Sequence, residues 1–381
     1  MSFNGKASYD AGATLPEMVD DLADVIGLIS PHETPLLNAI GIARNVARST
    51  RHEWLEDALR PLSSQVNFGP GYVGGDTSIA VDDGGVFRVG DILRPEGSNE
   101  VLQVSSISTN TLTVVRGYGS TTAGDIDDNT ELTVIGHAAL EGEDAAPSVT
   151  TNRSRLENFT QIFTETVTIS GSLNAANLHG IENEFSYQVI NRSRELMRQL
   201  EQSVISGVKA ASTPYGSASV RRTMGGLLSF ISGSNAVVED ASAAALDEEL
   251  LNNAIRACWE KGGRPNAIVV NGIQKRAISG FISAANQYVS GEERLQSMIN
   301  TYESDFGVQR VILSRWVPRD KVLLLDLDKI QVLPLAGRSF HAKELATTGD
   351  FRRAQILGEY TLEVLNASDG GHGVITNLAT S

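Results

Sequence analysis

Apolar side chains fall on a single stripe along residues 181–206, a stretch of 26 residues between Gly180 and Gly207 without glycine or proline. Ile181, Phe185, Val189, Leu196, Leu200 and Val204 keep spacings of four or seven, the period of one helix face. Glu182, Glu184, Arg192, Arg194, Arg198 and Glu201 cover most of the rest. The pattern predicts one helix roughly 39 Å long, with the flanking glycines as left-handed stops.

Elsewhere the period changes. Leu15, Met18, Val19, Leu22, Val25, Ile26 and Ile29 predict a short helix that Ser30-Pro31 ends, and Thr34-Pro35-Leu36-Leu37 starts a second short segment. Residues 48–66 read as extended or irregular chain. Over 67–140, β-rich runs (Thr77–Val81, Val86–Leu93, Glu100–Ser105, Thr111–Arg116, Glu131–Ile135) alternate with turn clusters such as Asp82-Asp83-Gly84-Gly85. Strands at that spacing imply a small barrel or sandwich. Asp144–Pro147 reads as a linker, Phe159–Ser170 alternates like a half-buried strand, and 206–235 reads as loops around Leu227–Ile231. Residues 244–335 form an α/β pattern with helices over Leu246–Lys261, Ile273–Ile282 and Leu295–Tyr302. Its strands fall over Ala267–Val270, Val308–Ser314, Lys321–Leu327 and Lys329–Leu335. Glu359–Leu365 alternates again, and His372–Leu378 follows.

A chain of 381 residues, 41% hydrophobic, suggests two or three folded units. The net charge of −15 argues against a dedicated nucleic-acid binder and for solubility at high concentration. Residues 67–140 hold three arginines against ten carboxylates, which marks them as an exposed inserted module. No apolar run approaches the ~20 residues of a membrane span, and Asp20, Asp21 and Asp24 interrupt anything resembling a signal peptide. The Asn-x-Ser/Thr sites at Asn152, Asn158, Asn191 and Asn366 therefore read as chance matches.

Catalytic and metal motifs fail on their own physics. Cys258 is the only cysteine and sits in an apolar helical pattern, so a buried core thiol is expected. Gly69-Pro70-Gly71-Tyr72-Val73-Gly74 matches a dinucleotide fingerprint in letters. Strand-like Thr77–Val81 follows it, however, where a helix N-terminus would have to receive the pyrophosphate. His32, His52, His137, His179, His341 and His372 form no ligand spacing, and Asp125, Asp127 and Asp128 lack the glycine and distal glutamate of a calcium loop. No catalytic, cofactor-binding or metal residue is assigned.

Several stretches are similar to one branch of phage capsid sequences. They are Ile29-Ser30-Pro31-His32-Glu33-Thr34-Pro35-Leu36, His52-Glu53-Trp54, Asn158-Phe159-Thr160-Gln161-Ile162-Phe163 and Gly358-Glu359-Tyr360-Thr361-Leu362-Glu363-Val364. With the order of parts, they resemble the Hong Kong 97-like fold of tailed-phage major capsid proteins, an α+β architecture. The resemblance implies an N-terminal arm (1–47) and an extended loop (48–170) carrying the barrel-like module 67–140. It further implies a peripheral domain (171–210 and 336–381) with spine helix 181–206, and an axial domain (211–335). The implied function is a non-enzymatic virion protein assembled in the bacterial host cytoplasm. It would self-assemble into hexamers and pentamers of an icosahedral shell around double-stranded DNA, without sequence-specific binding, cofactor or membrane. A portal, a decoration protein and either a separate scaffolding protein or none at all are the implied partners. In some relatives a loop lysine forms an isopeptide crosslink with a neighbour's asparagine; here no lysine lies between Lys6 and Lys209. An encapsulin-like compartment and an acidic α/β enzyme built on 244–335 remain as alternatives.

Overall fold

The structure, a computed structural model, describes residues 33–41, 45–142, 153–175, 183–209, 216–217, 219–233, 235–285, 301–346 and 348–380. It divides into two compact units, Leu55–Ser154 and the flanking Met1–Trp54 with Arg155–Ser381. The predicted helix over Leu15–Ile29 and the linker Asp144–Pro147 lie outside the described residues.

After a short helix α1 (Pro35–Ile40), strand β1 (Arg51–Glu56) leads into the 55–154 unit. There β2 (Ser63–Gln65), β3 (Ser78–Ala80), β4 (Asp91–Pro95), β5 (Leu102–Ser108), β6 (Thr111–Val115) and β7 (Glu131–His137) form an antiparallel sheet of order β2-β7-β4-β5-β6-β3. The two ends of that order meet. Val66 pairs with Val81, Asn67 N donates to Ala80 O at 3.0 Å, and Asp82 N donates to Gln65 O at 2.9 Å. A closed barrel leaves no exposed sheet edge. Its core is Val66, Ile79, Leu93, Leu102, Val104, Leu112, Val114, Ile126 and Leu132 with their neighbours. The barrel thus begins before residue 67, since β2 supplies its closing strand. The predicted strand Val86–Leu93 is not one strand. Gly84–Val86 is a 3-10 turn capped by Asp83, and β4 starts only after Gly90, whose φ of +90° breaks extended chain.

The chain leaves through β8 (Ser154–Phe159), which pairs with β1, and β9 (Gln161–Ser170), so the expected single strand over 159–170 is interrupted at Thr160. A short helix α2 (Gly171–Ala175) precedes α3 (Glu184–Ser206). Asn183 caps α3 by accepting from Ser186 N at 3.1 Å. Its other end is set by packing, because Gly207 has φ −58° and is not left-handed. A Cβ on Gly207 would stand 2.7 Å from Met224 O, and one on Gly226 would stand 2.6 Å from Gly207 N, so two glycines let the backbones cross.

Helix α4 (Leu227–Phe230) occupies the expected loop region. Then follow β10 (Val237–Asp240), α5 (Glu248–Glu260), β11 (Ala267–Val270), α6 (Gly272–Ala285), β12 (Thr301–Ser304), β13 (Gly307–Leu313), β14 (Val322–Leu325) and β15 (Ile330–Pro334). The last strands are β16 (His341–Leu345), β17 (Phe351–Val364) and β18 (Gly373–Thr376). Thr301 and Tyr302, expected to end a helix, lie in β12; residues 295–300 of that prediction are outside the described residues. A mixed sheet of order β10-β18-β14-β11-β13-β12 is buried on both faces. Ala267 and Val269 of β11 join the core containing α3, whereas Ile268 and Val270 join the core containing α5. Double burial explains why β11 and β14 read as unbroken apolar runs. A second sheet is built on β17, with β9 along one edge and β16 then β15 along the other.

Two strands cross the expected boundaries. Ile330–Pro334, placed with 211–335, pairs with β17; Gly373–Thr376, placed with 336–381, sits between β10 and β14 of the mixed sheet. Likewise β9, placed within the extended loop, pairs with β17 over ten residues. Long-range pairing, which local periodicity does not encode, decides all three.

Candidate assembly site

The thiol and one histidine are buried, and the other described histidines are tied up in single polar contacts. The Cys258 thiol is fully buried and pushed up to about 12 by that burial. Burial pushes His372 down to about 4; its Nδ1 accepts from Asp326 N and its Nε2 contacts Leu365 O, both at 3.1 Å. His52 and His137 each pair with one carboxylate, Glu363 and Asp91, and His341 bonds Ser339 O; His32 and His179 lie outside the described residues. Residues 69–74 form a turn leading to β3, and Asp128 accepts from Phe68 N at 2.7 Å within a loop. Among the described residues no group of three or more His, Cys, Asp or Glu could hold a metal. An open hollow beside β9, lined by Gln161, Ser217, Arg221 and Arg222 among others, contains no His, Cys, Asp or Glu.

What the molecule offers instead is a set of polar nodes that fix its long elements. The first lies on α3. Glu201, expected on the polar face, is fully buried, and its oxygens accept from Leu36 N (3.3 Å), Leu37 N (3.2 Å) and Ser314 Oγ (3.1 Å). Burial raises its pKa against the pull of those three donors. Nearby, Arg315 pairs with Glu33 at 2.9 Å and Trp316 Nε1 donates to Glu33 O at 3.0 Å. Residues 33–41 of the expected arm are therefore fastened to their own subunit. A signal was present: Met197, Glu201 and Ile205 form one i, i+4 row, with apolar residues on either side of the glutamate.

The second node explains two of the motifs that carry the resemblance. Glu359 of β17 is buried and takes Thr160 Oγ1 (2.5 Å), Arg222 (2.6 Å) and Arg338 (2.7 Å). Asn158, also buried, receives Gly225 N at 2.8 Å and donates to Leu362 O at 2.7 Å. A Cβ on Gly358 would run into the Phe340 ring, so the glycine beside Glu359 is sterically required. His52 reaches Glu363 at 2.6 Å, while Trp54 packs on Phe230 with ring centroids 5.7 Å apart. Arg51 and Lys209 both pair with Glu157. These bonds join chain segments up to 311 residues apart.

The barrel has its own node. Arg116 makes a bidentate pair with Glu100 (2.7 and 2.8 Å) and donates to Val73 O and Asp76 O, each at 3.0 Å. Burial would raise the Glu100 pKa, but Arg116 and the amides of Gly124 and Gly117 outweigh it and hold the carboxyl below its usual value. Asp91 similarly gathers Arg60, His137 and Arg88 N.

Buried polar nodes thus tie the long elements of the described residues together. No curated protein matches the chain in sequence. Its fold is similar to that of the cyanophage A-1(L) capsid asymmetric unit, with TM-score 0.54 and 12% identity over 96% of this chain and 98% of that one. It is similar, too, to the capsid of an empty GTA particle (TM-score 0.55, 11% identity, 98% and 100% covered). A protein of Microbacterium phage Oxtober96 aligns with TM-score 0.52 and 12% identity over 95% and 97%. The fold is thus Hong Kong 97-like. The family model described as SU10 major capsid protein matches residues 3–379, and the chain belongs to that family.

Proposed function

We propose that this major capsid protein forms hexamers and pentamers of an icosahedral shell that encloses the phage double-stranded DNA. The family match over residues 3–379 carries the reading and sets aside an enzyme built on 244–335. In it, α3 is the spine, the β17 sheet and α3 form the peripheral body, and the mixed sheet lines each ring's centre. Residues 33–41 of the arm stay with their own subunit through Glu201 and Arg315. The acidic barrel of the 55–154 unit makes like-charged copies repel one another. The net charge of −15 suits a wall that a motor fills with DNA, because an acidic lining does not hold the packaged strand. A separate scaffolding protein and a portal complete assembly, which takes place in the host cytoplasm.

Sedimentation velocity on the purified chain, alone and co-expressed with its phage partners, tests this. A discrete boundary of megadalton particles containing nuclease-protected DNA from infected cells is expected. Monomers or dimers under every condition would refute shell formation, and protein cargo without DNA would favour an encapsulating compartment.

A further inference from the structure

We propose that one end of the barrel, where residues 67–76 meet 123–130, docks an arginine-bearing segment of a basic partner protein. Phe68 is 42% exposed and stacks on Tyr72 with ring centroids 4.8 Å apart and planes 25° apart. The platform is held from below: Tyr72 OH accepts from Ala80 N at 2.8 Å, and the Tyr72 backbone pairs with Ile126. Val73, 61% exposed, extends the apolar surface.

Carboxylates ring this platform. Asp82 accepts from Asn67 Nδ2 and Asp128 from Phe68 N, both at 2.7 Å, and Asp127 Oδ1 lies 3.8 Å from where a Gly71 Cβ would stand. None of the three pairs with a cation among the described residues. Residues 55–154 hold five arginines, no lysine and fifteen carboxylates, a net of −10 within the chain's −15. Four of those arginines are already engaged: Arg60 on Val86 O, Arg94 on Ser98 O, Arg116 on Glu100 and Arg153 on Asp57.

Charge selects the occupant. Nucleic acid and anionic glycan are repelled, and a second copy brings a body whose remaining charge is −5, the difference between −15 and −10. A guanidinium matches both halves of the surface, because it stacks flat on an aromatic face and pairs with carboxylates at its edge.

The test uses full-length protein and two labelled ten-residue peptides, alternating Arg-Gly and alternating Lys-Gly, read by fluorescence anisotropy at physiological salt. The arginine peptide should bind more tightly than the lysine peptide. Phe68→Ala, which leaves every charge in place, should weaken it by roughly fivefold or more. Asp82→Asn with Asp127→Asn should weaken it further, and Glu96→Gln should not. Val73→Ser, an exposed change, gives the same reading should Phe68→Ala perturb folding. No binding, equal affinity for the two peptides, or indifference to both Phe68→Ala and Val73→Ser would overturn the proposal. Binding to dissociated chain but not to assembled particles would overturn it as well, by assigning the surface to a contact between copies.

Discussion

At the scale of single residues, Glu201 is the side chain whose role differs most from its sequence signature. A carboxylate with three neutral donors and, among the described residues, no cation marks a structural anchor for residues 33–41. Glu201→Ala leaves those donors buried without an acceptor, at a cost of about 1–3 kcal/mol. Amide hydrogen exchange should quicken at Leu36 and Leu37 while the middle of α3 stays protected; unchanged exchange there would show that the carboxylate anchors nothing. His372 supplies a pH signature of known sign. Above pH 6.5 its ring is neutral in both states and adds no pH dependence. Between 6.5 and about 4 only the unfolded chain takes the proton, so stability falls with pH by on the order of 3 kcal/mol in all. Glu201 acts in the opposite sense, since a raised carboxyl pKa adds stability as pH falls. Melting temperatures from pH 7.5 to 4.5 should therefore drop less steeply in His372→Gln than in the unaltered chain, and equal slopes would contradict the assignment.

Among elements, the barrel gives the sharpest expectation. Residues 58–140 contain every strand of the closed sheet, together with Arg60 and its bonds to Val86 O and Asp91. Residues 67–140 lack β2 and Val66, so the seam between β7 and β3 opens. The longer fragment should show a cooperative β-type melt by circular dichroism and the shorter one should not; two identical melts would show that closure is dispensable. The same comparison explains what periodicity could reveal. α3, α5 and β11 were legible because each buries one face, or both, with a regular period. β16 was not, because His341-Ala342-Lys343-Glu344-Leu345 is almost wholly exposed and becomes a strand only by pairing with β17. The first half of β17 was missed because adjacent Arg352 and Arg353 break the alternation, and Arg352 stacks over Phe185 at 4.1 Å. What Asn158, Glu201 and Glu359 hold was not legible for a related reason, since most of their partners lie 67 to 204 residues away.

For the whole molecule, the position of its lysines limits how particles are held. None lies in the 202 residues between Lys6 and Lys209, and Lys209 itself is paired with Glu157 at 3.1 Å. Arginine stays protonated and does not attack an amide. Boiled, denatured particles should run as one band near 40.7 kDa, and a ladder resistant to boiling would reveal a crosslinking route that does not use a loop lysine. Subunit contacts are then non-covalent and gain their strength from number.

Shell formation itself is tested most directly by electron cryomicroscopy of the assembled protein. Closed icosahedral particles built from rings of five and six subunits are expected, with the 23-residue helix α3 resolved in every subunit. Isolated monomers, open filaments or a single unclosed ring at high protein concentration, with phage partners present, would contradict it.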